Sequence, residues 1–382
     1  MGIESKHPHY TNTQDKWQRI RDSFNGNDAI KGESESYLPR LGGQENNEYE
    51  SYKLRAVYYN AIERTVRGLV GAVMRVDPIL EIPPKLEELI EDVTNTGVSL
   101  KDFISYMLAE QLLMGRQGVL VDRNEERPYL TGYSTEQITN WLEDRVILEE
   151  NYRKIHPDDP YQSEYDVQYR ELLTEEGKYV VRIWQKDKKG WEMIDEIFPS
   201  RKGSTLNDIP FIGISGEGFN LDPTIPPLLA LADIGLSMYR TSADLEHGRH
   251  FTALPTPYVT GIDADSELKI GSGSAWILPD SSSKAGYLEF SGQGLQALEK
   301  AMEEKRSMMA SLGAQLLQSP KAGVEAADSV RLRQNAEAST LIGTVKAVER
   351  AITQALILMS EWEGISGDIS LKLNTDFVDT KI

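Results

Sequence analysis

The chain has 382 residues, 40% of them hydrophobic and 26% charged, so it can bury a substantial core and is too long for one small domain. Its formal charge of −19 argues against a protein that grips nucleic acid by neutralising phosphates, although an acidic wall that surrounds DNA without holding it remains compatible. With no cysteine, disulfides and thiolate metal sites are excluded, and no apolar run approaches the roughly 20 residues that span a bilayer.

The start, MGIESKHPHY, is polar and shows neither a signal-peptide apolar segment nor a supported lipid anchor. The first 50 residues are rich in Asn, Gly, Glu and Ser and are expected to be mostly loop. One short helix is expected over Asp15–Arg21, with Trp17 and Ile20 on one face. Tyr52, Tyr59, Ile62, Val66, Leu69 and Val73 then predict a single helix from Tyr52 to Val76, ended by Asp77-Pro78. A second helix starts after Ser99, a capping residue with Asp102 three positions on. Leu100, Phe103, Ile104, Met107, Leu108 and Leu112 form its stripe, and Gly115 stops it. Gly118–Asp122 reads as a strand too apolar for an exposed edge. Ser134–Leu148 is expected to be a third helix with Trp141 inward. Beyond a charged, proline-marked loop near His156–Pro160 the period changes to two, giving antiparallel strands over Val167–Leu173, Tyr179–Lys186 and Gly190–Phe198. The fold class is α+β.

The second half has a different rhythm. Pro226-Pro227 open a helix reaching about Thr252, and Pro257–Phe290 is strand and turn, punctuated by Gly261, Gly271, Gly273, Pro279 and Gly286. Gly294–Leu317 is helical, with Leu295, Leu298, Met302, Met309, Leu312 and Leu316 on one stripe that Lys305 interrupts. Gln318–Gly323 (QSPKAG) is a break. A last helix spans Glu325–Trp362, with Val330, Leu341, Val345, Val348, Ile352, Leu356 and Met359 inward. Gly343 and Gly364 are places for it to bend or stop. At about 1.5 Å per residue that helix exceeds roughly 50 Å, a length that usually packs against copies of itself or projects from a body, and so points to an assembly.

The chain holds no GxxxxGK[ST] phosphate loop, no GxSxG and no HExxH, so no catalytic, cofactor or metal residue is assigned and the chain is not expected to be an enzyme. His247 and His250 have ligand-compatible spacing, but exposed or interface histidines fit better than a metal site. Runs such as Glu87, Glu88, Glu91 and Asp92 read as solvated faces. Lys300, Lys305, Arg306, Lys321, Arg331 and Arg333 form the least acidic region. They fit two readings equally: an approach to phosphate, or helix-end charges paired with Glu303, Glu304 and Glu325.

Several stretches together resemble a family of tailed-bacteriophage portal proteins first catalogued as a domain of unknown function. They are HPHY (His7–Tyr10), YLPRLGGQ (Tyr37–Gln44), the run Tyr52–Pro78, ADLEHGRHFTALPTPYVTG (Ala243–Gly261) and the run Gly286–Leu317. Each is weak alone; their number and order over most of the chain carry the resemblance. It implies a portal fold with a wing over 1–224, a descending stem helix over 225–256, a clip over 257–291 and an ascending stem helix over 292–317. A tunnel loop over 318–327 and a long wing helix with the start of a crown over 328–382 complete it. Only Gly364–Ile382 follow the long helix, with Ile369, Leu371 and Leu373 alternating as one short strand, so the crown is minimal or the chain incomplete.

The resemblance further implies a ring of twelve copies at one capsid vertex of the virion, assembled in the host cytoplasm, through which double-stranded DNA passes during packaging and ejection. Implied partners are the terminase large subunit, head–tail connector or adaptor proteins, and the major capsid and scaffold proteins, with no membrane and no cofactor. Lys321, Ser319, Gln318, Lys305 and Arg306 would face DNA at the tunnel loop, with Lys321 giving a ring of weak positive charge in an acidic bore. Asp263, Asp265, Glu267, Lys269 and Trp276 would meet docking partners at the clip. The alternatives are another head–tail connector or minor capsid protein, separable by ring size and position, and a DNA-processing or maturation enzyme. The enzyme would need a clustered acidic metal site or a nucleophile–base pair.

Overall fold

A computed structural model describes residues 2–156, 159–201, 204–216, 220–252, 256–261, 282–288, 293–313 and 327–376. In chain order its elements are α1 (Pro8–Asn25), α2 (Asn27–Gly32), α3 (Asn46–Arg55), α4 (Ala61–Met74), β1 (Ile79–Glu81), α5 (Glu87–Glu91), α6 (Leu100–Met114), β2 (Arg116–Arg123), β3 (Pro128–Ser134), β4 (Ile138–Leu142), β5 (Arg145–His156), β6 (Asp159–Glu175), β7 (Lys178–Asp187) and β8 (Gly190–Ile197). There follow β9 (Ser200–Arg201), β10 (Ser204–Thr205), β11 (Phe211–Ser215), α7 (Leu229–Thr252), β12 (Thr256–Thr260), β13 (Lys284–Leu288), α8 (Gln293–Ser311), α9 (Ala327–Glu363) and β14 (Ser370–Lys372). Helix and antiparallel strand are both abundant, and the class is α+β. The chain divides into two compact units, one of Met1–Asn25, Asn60–Asp233 and Ser311–Ile382, the other of Gly26–Tyr59 and Ile234–Ala310.

The core of the first unit forms where two apolar helix stripes meet a small sheet. From α6 come Leu100, Phe103, Ile104, Met107, Leu108 and Leu112. From α9 come Leu341, Val345, Val348, Ile352, Leu356 and Met359. Both sets recur at the three-and-four spacing that puts side chains on one helix face. The sheet order is β11-β2-β3, so β2 is central, and Val119 and Val121 are fully buried, as an apolar non-edge strand requires. Gly118 is needed there: a Cβ at this position would lie 2.1 Å from the ring of Phe211. The Ser99 side chain accepts from the Asp102 backbone N–H at 3.2 Å, and Gly115 ends the helix at φ 68°. Ser99→Ala is expected to cost about 1 kcal/mol; urea unfolding followed by tryptophan fluorescence checks it, and an unchanged midpoint would mean that the cap contributes nothing. Helix α9 runs straight through Gly343 and stops at Gly364, φ 64°. Beyond it Leu371 and Leu373 are buried, and β14 pairs with β1, Leu80 opposite Leu371.

Three expectations fail. The stretch Ser134–Leu148 is not a helix: after one short turn over Thr135–Gln137 it forms β4 and the start of β5, hydrogen-bonded as a hairpin with Trp141 opposite Val146. The single helix over Tyr52–Val76 is two helices. It breaks at 56–60, where Asn60 caps α4 by accepting from the Glu63 N–H. The first 50 residues are mostly helical, and α1 extends well beyond Asp15–Arg21, burying Tyr10, Trp17 and Ile20.

The three expected strands are β6, β7 and β8, part of an antiparallel sheet ordered β4-β5-β6-β7-β8. Two guanidinium groups, one buried and one half-buried, fasten elements around it. Arg116, with no exposed surface, donates to the carbonyls of Leu221 (2.6 Å) and Thr135 (3.0 Å) and lies 4.2 Å from the Trp141 ring centre. Arg21 on α1 joins α6 to the 135–137 turn by donating to both carboxylate oxygens of Glu110 and both of Glu136. The second unit gathers Ile30, Leu38, Tyr49, Tyr52 and Tyr58 around Leu236, Tyr239 and Ala243 of α7.

Candidate functional site: a helix pair and its β ribbon

Within the second unit α7 and α8 run side by side in opposite directions, and the short antiparallel ribbon of β12 and β13 lies between them in the chain. Two polar ties set that geometry. Near the ribbon, Arg249 of α7 donates to Glu299 of α8 at 2.8 Å and to Glu246 of its own helix at 2.8 Å. The bonds to these carboxylates raise the Arg249 pKa above its ordinary value. Farther along, the Lys305 ammonium of α8 donates to the Thr241 hydroxyl and, at 3.4 Å, to the Ser237 carbonyl of α7. Rising residue numbers on one helix meet falling numbers on the other, the signature of an antiparallel pair. Gly248 permits the close approach, since a Cβ there would sit 2.7 Å from Leu295 Cδ2. In the ribbon the Tyr258 ring lies over Gly286, where a Cβ would come within 3.1 Å of it.

The inner face of α7 is aromatic. The Tyr52 hydroxyl donates to Asp244 at 2.6 Å, and burial followed by that carboxylate pushes its pKa well above the usual phenol value. His247 packs edge-on between Tyr52 and Phe251, at 5.3 and 4.7 Å between ring centres. Burial lowers its pKa, and the Arg55 charge lowers it further. His250 touches Phe251 as well, and among the described residues no group of three His, Asp or Glu side chains is placed to hold a metal.

Of the residues assigned to the tunnel loop and the clip, Lys305 and Arg306 are described. Lys305 is the tie to α7, while Arg306 is mostly exposed and lies 3.5 Å from Glu303 on its own helix. Gln318, Ser319 and Lys321, and likewise Asp263, Asp265, Glu267, Lys269 and Trp276, lie outside the described residues. The partners of Lys305 and Arg249 went unnoticed in the sequence, being 64 and 50 positions away. The one available signal was a charged residue inside an apolar stripe.

Residues 227–363 match the family model described as a domain of unknown function (DUF4055). The matched segment holds α7, the ribbon, α8 and α9, and agrees with the resemblance to a family first catalogued under such a description. No curated protein matches. Among solved structures, the chain is similar to one described as the virion of a native gene transfer agent particle, with 13% identity, 91% of this chain and 89% of that chain covered, and a TM-score of 0.47. It is similar to chains in the neck of the empty particle, computed with C6 symmetry (14%, 89% and 87% covered, TM-score 0.48), and in the neck of the native particle, computed with C12 symmetry (13%, 84% and 82%, TM-score 0.45). At these scores the superpositions carry no argument about this chain.

Proposed function

We propose that the chain is a structural portal subunit of a tailed phage or phage-like particle, and not an enzyme. Twelve copies form a ring at one capsid vertex of the virion. The ring is a channel for packaging and ejecting double-stranded DNA and a docking platform for the terminase large subunit, for connector proteins, and for capsid and scaffold proteins during assembly in the host cytoplasm. The observation that carries the reading is the order of elements in the matched segment: a helix, a β ribbon, an antiparallel return helix tied to the first, then a helix of 37 residues. This is the order of descending stem, clip, ascending stem and long helix in the family that the sequence resembles.

The physical demands agree with it. A closed ring needs head-to-tail contacts repeated by rotation, and a stem needs helices held rigidly to each other, which the Arg249–Glu299 and Lys305–Thr241 ties supply. A net charge of −19 per copy agrees with an acidic wall that repels phosphate and does not trap DNA. Electron-microscopic class averages of the purified protein, with its mass in solution, test the reading. The expected top view is a closed ring with a central hole, near twelvefold. A compact dimer with no hole would overturn the conduit and favour the connector or enzyme alternatives.

A further inference from the structure

The five-stranded sheet leaves two strand edges without a strand partner among the described residues, and they differ in charge. The first belongs to a projecting arm. β5 pairs with β6 over its whole length, but with β4 only over Arg145–Leu148, and β6 pairs with β7 only from Gln168 onward. Residues 149–156 and 159–167 therefore form a ribbon of two strands that leaves the sheet, roughly 25 Å long at about 3.3 Å per residue. Tyr161 is 94% exposed and Tyr165 72%. A lone two-stranded ribbon is marginally stable in water, so an arm of this length calls for a neighbour. Its β5 side carries Glu149 and Glu150 at the base, bonded to Tyr169 and to Tyr133 and Arg170, and exposed Arg153 and Lys154 farther out. Its β6 side carries Asp159, Glu164 and Asp166, and Pro160, which has no N–H to offer.

The second free edge is β8. The opposite edge of the sheet, β4, is covered by the N-terminal segment: the His7 N–H donates to the Thr139 carbonyl, and the Asn140 amide to the Ser5 carbonyl. Along β8 the N-terminal segment makes only the contact of Glu4 with the Trp191 indole N–H at its start, and no strand pairs with it among the described residues. This strand is exposed from Glu192 onward on both of its faces, with Met193, Ile194, Ile197 and Phe198 each between 42% and 53% exposed. Its charges are acidic: Glu192, Asp195 and Glu196, the last paired with Arg182.

We infer that the β5 edge of the arm of one copy adds to the β8 edge of the next copy, extending its sheet by backbone hydrogen bonds, with Arg153 set against the neighbour's Asp195. Charge makes the choice among the possible pairs. The β6 side of the arm would bring acid against acid, and β8 against a second β8 would do the same; only the outer part of the β5 side, Arg153 and Lys154, offers basic residues. Ile194 is the unpaired residue of a register shift against β7, so the regular part of the edge starts at Asp195; parallel addition there sets Arg153 beside Asp195 and Lys154 beside Glu196, and an antiparallel register through the same Arg153–Asp195 pair avoids bringing Glu150 toward Glu192. Donor and acceptor edges are different surfaces, so the contact is head-to-tail and propagates from copy to copy. The contact stands on the arm and the edge alone; its closure into a ring rests on the function proposed above.

The absence of cysteine allows a direct test, since introduced thiols are the only ones present. The R153C/D195C variant, mildly oxidised at high protein concentration, is expected to give a ladder of dimer, trimer and larger species on a non-reducing gel, while each single variant stays at the monomer band. A double variant with no ladder, or a strong dimer from either single variant, overturns the pairing. In a second measurement R153D and D195R are each expected to weaken self-association about tenfold or more, and the R153D/D195R swap to restore it, with unchanged thermal unfolding showing that all three fold. Failure of the swap to restore association counts against the contact. Micrographs separate the two proposals: closed rings without a ladder keep the portal reading and remove this contact, and a ladder with open filaments does the reverse.

Discussion

Arg116→Met is expected to lower the free energy of unfolding by about 4 kcal/mol. The side chain has no exposed surface, and among the described residues no carboxylate bonds to it. Its charge is held by dipoles and π faces. Nε donates to the Leu221 carbonyl, and Nη1 to the Thr135 carbonyl and hydroxyl, each of these two at 3.0 Å. Nη2 reaches the Ile138 carbonyl at 3.3 Å. The rings of Trp141 and Trp17 lie 4.2 and 5.6 Å from the guanidinium carbon. Burial lowers its pKa, with Tyr10, Asp222 and Glu136 acting against that from a distance. Methionine keeps much of the volume and removes every donor, so three backbone carbonyls that join β2, the 135–137 turn and the segment before α7 lose their partner together. Each buried acceptor left unsatisfied costs about 1–3 kcal/mol. Arg116→Lys is expected to recover little, because a point charge cannot fork to three acceptors while stacking on indole. Urea unfolding followed by tryptophan fluorescence measures both, and a loss below about 1 kcal/mol for the methionine variant would show that water takes over the bonds.

Arg116 was invisible in the sequence because its partners come from positions 135, 138 and 221. Elements whose stabilising contacts are local were legible. Helix α6 was bounded correctly by Ser99 and Gly115 because a cap and an αL stop act within one turn. The inward face of α9 from Leu341 to Met359 followed from spacing alone, while the Val330 side chain lies outside the described ones. The misreadings have local causes too. Ser134 and Gln137 form a true capping box, which is a helix-start signal, but the turn it opens lasts three residues before Ile138, Trp141 and Val146 find sheet partners. The break between α3 and α4 was signalled by Asn60 with Glu63 three positions on, an N-cap masked by apolar residues that keep helical spacing across it. In α1 the inward residues are few, chiefly Tyr10, Trp17 and Ile20, so its amphipathic pattern is thin. At the candidate site the helix–ribbon–helix order was readable from period and punctuation. The ties through Lys305 and Arg249 were not, since each joins residues that only tertiary structure brings together. The free edge of β8 is a property of sheet order, which a strand's own residues do not encode.

Arg21→Met is expected to lose about 3–5 kcal/mol near neutral pH and distinctly less in acid. Arg21 makes four donor contacts of 2.8–3.0 Å to Glu110 and Glu136, whose side chains retain 8% and 32% exposure. Burial alone would raise the Glu136 pKa; the Arg21 bonds and charge outweigh it and hold the carboxyl below its ordinary 4.5. In the parent protein the ionised Glu136 therefore contributes stability that is fully present above pH 4.5 and is lost as pH falls through the lower folded value. Without Arg21, two carboxylates face each other in a partly desolvated space, and burial and repulsion act in the same direction on Glu136, raising its folded pKa above the unfolded one. The sign then reverses: the variant gains stability, relative to neutral pH, as the pH drops and the carboxyl takes up a proton. The difference between parent and variant should thus shrink from about pH 7 to about pH 4. R21M/E136Q, which removes one of the two charges, should recover a large part of the neutral-pH loss and flatten its pH dependence. Urea midpoints of the parent and both variants at the two pH values decide the matter. A deficit that stays constant with pH and is untouched by E136Q would mean that Arg21 acts through packing against α6 and not through its charge.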